Sequence, residues 1–183
     1  MKKNFISILL PIALLCGMAI KPANALLSGY FGITAGAVNG KATSEDLGEK
    51  SSTKNASGGT TGAILGLEAN LLLIKFGVEG FVDKSTGFKS DEYKNPLFYG
   101  AKGKILFNLI LIDPYITFGY GTEKTSDDYK NNFGLAGLGV QTKLLNFGAF
   151  VELNYLQSLS GYSDYKAKTN RTALQVGLKY YFF

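Results

Sequence analysis

The sequence predicts an all-β chain, an eight-stranded antiparallel up-and-down transmembrane β-barrel, and three observations carry that reading. From residue 28 onward the dominant hydrophobic period is two, over eight segments, and none of them shows a convincing helical period. The connections alternate long and polar with short and apolar, the pattern of a meander whose long loops gather at one end. The composition sets 23 glycines, 13 phenylalanines and 11 tyrosines against only 4 prolines, which suits strands, turns and close packing.

In chain order, residues 1–25 read as a cleaved signal peptide and 26–183 as a single barrel domain. Lys2 and Lys3 form a basic start, an apolar run extends from Phe5 to Ile20, and Ala23-Asn24-Ala25 supplies the small residues of a cleavage site. The one cysteine, Cys16, lies inside this segment behind Leu15, where a lipoprotein signal needs a small residue. Processing therefore leaves no thiol and no disulfide. Removing Lys2, Lys3 and Lys21 brings the formal charge from +5 to +2, and export itself argues against a nucleic-acid partner.

The strands are expected at about 28–38, 61–71, 75–84, 97–109, 113–123, 132–144, 146–157 and 171–182. Long polar connections fall at 39–60, 85–96, 124–131 and 158–170, and short ones around Leu72-Leu73-Ile74, 110–112 and Leu145. The first long connection is rich in Ser, Thr, Gly, Lys and Glu without an aromatic, and reads as a mobile, solvated loop. Alternation assigns the faces. In strand two Ala63, Leu65, Leu67, Ala69 and Leu71 oppose Gly62, Gly66, Glu68 and Asn70. Strand four sets Tyr99, Ala101, Ile105 and Phe107 against Lys102, Lys104 and Asn108. Strand seven sets Phe147, Ala149, Val151, Leu153 and Tyr155 against Gly148, Glu152 and Asn154. Strand eight sets Leu174, Val176, Leu178, Tyr180 and Phe182 against Arg171, Gln175, Gly177 and Lys179.

A soluble sandwich or lipocalin-type barrel would also alternate, with its apolar face inside. Three features favour lipid outside. The polar face mixes ionisable groups with glycine, as a cramped polar interior requires. Aromatics sit near the ends of the apolar stripes, with Phe31, Phe76, Phe107, Phe147 and Phe182 in one belt and Tyr99, Tyr120, Phe133 and Tyr155 in the other. An apolar C-terminal strand would aggregate as a soluble edge, and closure removes the edge. In hydrocarbon a sheet has to close to satisfy its backbone, and strands of roughly 9–11 residues suffice to cross.

The inward face then carries Glu68, Glu79, Lys102, Lys104, Lys143, Glu152, Arg171 and Lys179. Buried charges need partners, and eight strands leave a lumen just wide enough for side chains, so a salt-bridged polar plug is expected. A narrow gated pore for small solutes or ions, its bridges exchanging partners, is the alternative. Catalysis finds no footing. The sequence has no histidine, which removes His-dependent acid–base and nucleophilic chemistry, and with cysteine gone soft metal sites go too. The run Gly134–Gly139 lies inside an alternating strand with no helix behind it, so a phosphate loop is not indicated. Asp91-Glu92 and Asp127-Asp128 lack calcium-loop spacing and read as solvated loop charge. No enzyme activity, cofactor or metal is expected.

With a leader, eight strands, four long loops and an aromatic last strand, the chain resembles the small eight-stranded bacterial outer-membrane proteins, the OmpA/OmpX-like and opacity-type superfamily. The specific element is the ending "QVGLKYYFF", where Gln175, Gly177, Tyr180 and Phe182 match in order the family's polar-x-Gly-x-x-apolar-x-aromatic assembly signal. Phe183 is one residue beyond the match, on the inward register. The resemblance implies a Gram-negative outer membrane and, as partners, outer-membrane lipid, lipopolysaccharide, periplasmic chaperones and the barrel-assembly machinery. It also implies four extracellular loops. Among these Phe88, Tyr93, Tyr162 and Tyr165 stand beside charges, a mixture suited to a protein, a glycan or lipopolysaccharide phosphates, or to interfacial anchoring on a solvated surface. The function expected is a structural or surface-interaction role. If Phe182 is the assembly residue, Phe182→Ser lowers the yield of heat-modifiable folded protein in the outer membrane and Phe183→Ser does not. The reverse order would place the register one residue off.

Overall fold

The computed structural model describes residues 27–46, 49–71, 73–87, 95–109, 111–124, 130–159 and 166–182, with side chains described outside 42–56 and 166–169. The strands are β1 Leu27–Asp46, β2 Glu49–Leu71, β3 Ile74–Thr86, β4 Leu97–Phe107, β5 Asp113–Lys124, β6 Lys130–Leu144, β7 Phe147–Ser158 and β8 Lys166–Tyr181. Each pairs antiparallel with its sequence neighbour, and β8 pairs with β1 to close the ring. Around that ring every strand has a ladder on both sides, so backbone groups are satisfied without water.

The register fixes the shape. Partners followed from Lys41 through Asn170, Gln157, Gly134, Tyr120, Ala101, Gly80 and Leu65 return to β1 at Phe31, ten residues nearer its start. A stagger of that size across eight strands tilts them by roughly 35–45° and yields a narrow barrel whose interior is filled by side chains.

Outward positions are apolar, as the alternation predicts. Ile33, Leu65, Val78, Ile116, Leu138, Val151 and Leu178 all expose their side chains on the wall. Two expectations change. The stretch 39–60 is not a free loop: the β1–β2 ladder continues to Asp46↔Glu49, with one irregularity between Ser44 and Asp46. β8 likewise begins at Lys166, pairing with Glu45. Beyond the hydrocarbon neither face needs to be apolar, so the hydrophobic period stops while the backbone ladder goes on. Phe133 is the second correction. It belongs to the inward register of β6 with Asn131 and Leu135, is buried, and packs against Phe81 and Phe98 rather than joining an outer belt. A belt of Tyr99, Tyr120 and Tyr155 remains on the wall.

Glycine makes room for large inward rings. Tyr30 is the cross-strand partner of Gly66, and a Cβ at Gly66 would come within 2.5 Å of the Tyr30 ring. Tyr115 lies against Gly139 and Phe150 against Gly177 in the same way. A ring placed over a cross-strand glycine covers its backbone and allows the sheet to curl. At the same, short-turn end of the wall, the turn Leu145-Asn146 holds Leu145 at φ 55°, and Asn146 donates a side-chain hydrogen bond to the Tyr181 carbonyl at 3.0 Å.

Gly66→Leu forces the Tyr30 ring to move, and overpacking of this kind costs about 1–3 kcal/mol. Gly80→Ala, on the open wall with nothing nearer than 3.9 Å to the new Cβ, is expected to be neutral. Urea unfolding of the reconstituted barrel checks both.

Candidate functional site in the barrel interior

The inward residues form layers that can be followed from the short-turn end to the long-loop end. At the turn mouth Lys75 pairs with Asp113 at 2.6 Å. The next layer centres on Glu68, which accepts from Lys179 at 3.1 Å and from Gln141 at 3.3 Å. Lys179 also donates to Gln141 at 2.6 Å and lies 4.2 Å from the Tyr30 ring centroid.

Above this sits a tetrad of two carboxylates and two ammoniums. β4 supplies both cations because Lys102-Gly103-Lys104 places two lysines on one face with a glycine between them. Glu79 on β3 is the cross-strand partner of Lys102, while Glu152 reaches in from β7 on the other side of the lumen. Lys102 bridges Glu79 at 3.0 Å and also Glu152; Lys104 bridges Glu79 at 2.8 Å and Glu152 at 3.4 Å. Further donors converge on both glutamates. Tyr30 donates to Glu79 at 2.7 Å, Tyr115 to Glu152 at 2.8 Å and Asn154 to Glu152 at 2.7 Å. Both glutamates are fully buried, at 0% exposure. Two opposite pairs with added hydrogen-bond donors are the arrangement that makes buried charge tolerable; Glu79 Oε1 has its Lys102 ion pair and no hydrogen bond.

Asp83 follows, accepting from Thr34 at 2.8 Å and Gln175 at 3.1 Å. Then the interior turns apolar. Phe81, Phe98, Phe133, Leu135, Leu156 and Val38 belong to one buried cluster that fills the lumen towards the long loops. Beyond that cluster Arg171 pairs with Glu123 at 2.6 Å, its guanidinium carbon 4.9 Å from the Phe98 ring centroid. Two small cavities, of about 30 Å³ beside Asp83, Ser85 and Asn154 and about 10 Å³ beside Glu123 and Arg171, interrupt the filling. Spaces of this size hold one or a few water molecules.

The eight charged residues singled out in the sequence thus divide. Glu79, Lys102, Lys104 and Glu152 form the tetrad, and Glu68 and Lys179 the layer below. Arg171 is separated from them by the apolar cluster and pairs with Glu123. Lys143 does not enter the ladder: it is exposed at the turn mouth, its ammonium 4.0 Å from the Tyr181 ring centroid. Sequence reading overlooked Lys75, Asp83, Asp113, Glu123 and Gln141, although all share the inward register of their strands. It also missed the inward aromatics, because a ring inside and a ring outside look alike in an alternating segment. Gln175 and Gly177 face inward and Tyr180 outward, and the Phe182 N–H donates to the Gly29 carbonyl at 3.1 Å. Phe88, Tyr93, Tyr162, Tyr165, Phe183 and the leader lie outside the described residues.

Residues 8–182 match the family described as outer membrane protein beta-barrel domain. The chain belongs to that family. The barrel's place is accordingly the outer membrane of a Gram-negative bacterium, and it crosses with strands. Among solved structures, Neisserial surface protein A is similar with a TM-score of 0.51 at 15% identity, covering 82% of this chain and 96% of that one. The N-terminal β-barrel domain of Pseudomonas aeruginosa OprF gives 0.44 at 13%, covering 80% and 97%. Ail, the attachment invasion locus protein of Yersinia pestis, gives 0.40 at 14%, covering 83% and 99%. No curated protein matches in sequence.

Glu152→Ala leaves Lys102 and Lys104 sharing one carboxylate in a buried layer, and breaking such a buried pair costs about 3–5 kcal/mol. Glu123→Ala, with Arg171 close to the rim, is expected to cost less. Unfolding midpoints of the two variants in the same bilayer give the comparison.

Proposed function

We propose that this barrel is a non-conducting, non-enzymatic outer-membrane protein that acts through the surface presented at its long-loop end, which faces the exterior. The observation that carries this reading is the filled lumen. Among the described residues six interior carboxylates are engaged in ion pairs or hydrogen bonds, and an apolar cluster fills the lumen towards the long loops. A solute would have to displace both the tetrad and the aromatic layer. The sequence holds no histidine, and among the described residues the lumen carboxylates are buried under the apolar cluster, which supports a role other than catalysis.

On this reading the leader directs export, the last strand is read by the assembly machinery, and an extracellular protein or glycan meets the loops around Phe88, Tyr93, Tyr162 and Tyr165. The extended β1–β2–β8 wall supports such a role by carrying one side of the loop surface away from the membrane.

In planar bilayers the wild-type barrel and Lys102→Ala are both expected to be silent. Discrete conductance in the wild type that changes in Lys102→Ala would establish the narrow gated pore instead. Deleting residues 88–94 is expected to reduce whole-cell binding to host or abiotic surfaces while leaving heat-modifiable folding intact.

A further inference from the structure

The short-turn rim of the barrel ends in leucine. Leu73, Leu111, Leu144 and Leu145 stand 76% to 84% exposed, more than any described large apolar side chain of the wall above them. The described turn residues Leu73, Leu109, Leu111, Ile112, Leu145 and Asn146 carry no charge. Turns that face water draw mainly on glycine, proline and small polar residues. Charge is present at this end, but inside. Lys75 and Asp113 pair in the mouth, and Lys143, also of the inward register, holds its ammonium 4.0 Å from the Tyr181 ring centroid.

The turns also satisfy backbone groups without solvent. The Leu73 carbonyl accepts from the Asn108 N–H at 2.8 Å, and the Leu111 carbonyl from the Thr142 hydroxyl at 2.9 Å. The Asn146 carbonyl accepts from the Tyr181 N–H at 2.7 Å, and the Asn146 side chain donates back to the Tyr181 carbonyl. Each turn is thus tied to a neighbouring strand or turn. Backbone bound within the protein, under apolar tips, is what hydrocarbon demands of a segment.

The height of the wall points the same way. From Tyr99 to Phe107 on β4, and from Phe147 to Tyr155 on β7, the outward stripe runs eight residue steps between its end rings. At about 3.4 Å per step and a tilt near 40°, that is roughly 21 Å along the barrel axis. The apolar band of an outer-membrane barrel is about 25 Å tall. Leu145 lies two residues past Phe147 and adds up to roughly 5 Å, which closes the gap.

We propose that the three short turns are themselves a membrane-inserted surface, seated among the acyl chains of the periplasmic leaflet. The phenylalanine belt above them then lies within hydrocarbon rather than at its boundary. The occupant is lipid chain and not a soluble protein, because the tips continue the lipid-facing stripes at Leu71, Phe107 and Phe147 with no charged residue between. The inference holds whether or not the lumen conducts and whatever the long loops bind. Only the choice of leaflet rests on the long-loop end facing the exterior.

The exported barrel, freed of the leader and of Cys16, is labelled with bimane at Leu73→Cys, Leu111→Cys or Leu145→Cys and reconstituted in phosphatidylcholine vesicles. Val78→Cys on the wall and Ser57→Cys on the long-loop side serve as references. Brominated acyl chains are expected to quench the three turn labels at least half as strongly as the Val78 label. Aqueous iodide is expected to quench them at least threefold less than the Ser57 label. Iodide quenching equal to that at Ser57 would overturn the inference, leaving the tips to water or to a soluble partner. A measurement without label guards against the probe itself drawing a turn into lipid. Each of Leu73→Asn, Leu111→Asn and Leu145→Asn should lower the folding equilibrium constant in the same bilayer by about tenfold, with Ser57→Asn unchanged. Unchanged constants in all three leucine variants would overturn it as well.

Discussion

Backbone polarity in hydrocarbon is the constraint from which the rest of this barrel follows. An unsatisfied N–H or C=O costs several kcal/mol where no water is present, so the sheet has to end where it began. β8 returning to β1 is therefore a necessity rather than a preference. The stagger that closure requires sets strand tilt and radius together. A narrow lumen with alternate side chains pointing into it is the geometric result, and everything inside has to be accommodated at that width.

The interior meets the requirement with two kinds of filling. Towards the short turns it is polar, with Glu68, Glu79 and Glu152 each held by cations and by tyrosine, amide or hydroxyl donors. Towards the long loops it is apolar, with Phe81 and Phe98 each in ring contact with Phe133. The rings strengthen the charged layer beneath. By excluding water they lower the local dielectric, which makes both the bridges and any missing partner count for more. Glycine on the facing strand is what allows tyrosine and phenylalanine to fit at all, as Tyr30 on Gly66 shows. Charges on opposite walls, joined across the lumen by Lys102 and Glu152, also tie strands that share no backbone hydrogen bonds.

Much of this could be read in advance where one face was uniformly apolar. Leu65, Leu67 and Leu71 opposite Glu68 leave no doubt about which way β2 points. Legibility failed where both faces carried similar residues. β6 has Phe133 and Leu135 inside and Ala136 and Leu138 outside, so hydropathy alone does not separate them. It failed again in 39–60, since a ladder beyond the membrane leaves no hydrophobic trace. Individual inward charges were found more readily than their pairing. Which lysine meets which glutamate depends on strands far apart in sequence.

By itself the sequence determined the strand count, the alternation of long and short connections, the lipid-facing stripe and the absence of histidine chemistry, because each is a local property of composition or period. Tertiary structure alone decided the ten-residue stagger, the Glu79/Glu152 tetrad, the separation of Arg171 from it and the apolar layer between. Those depend on how far each strand slides against its neighbour before the ring closes. That sliding is settled by all eight strands at once, and no single segment records it.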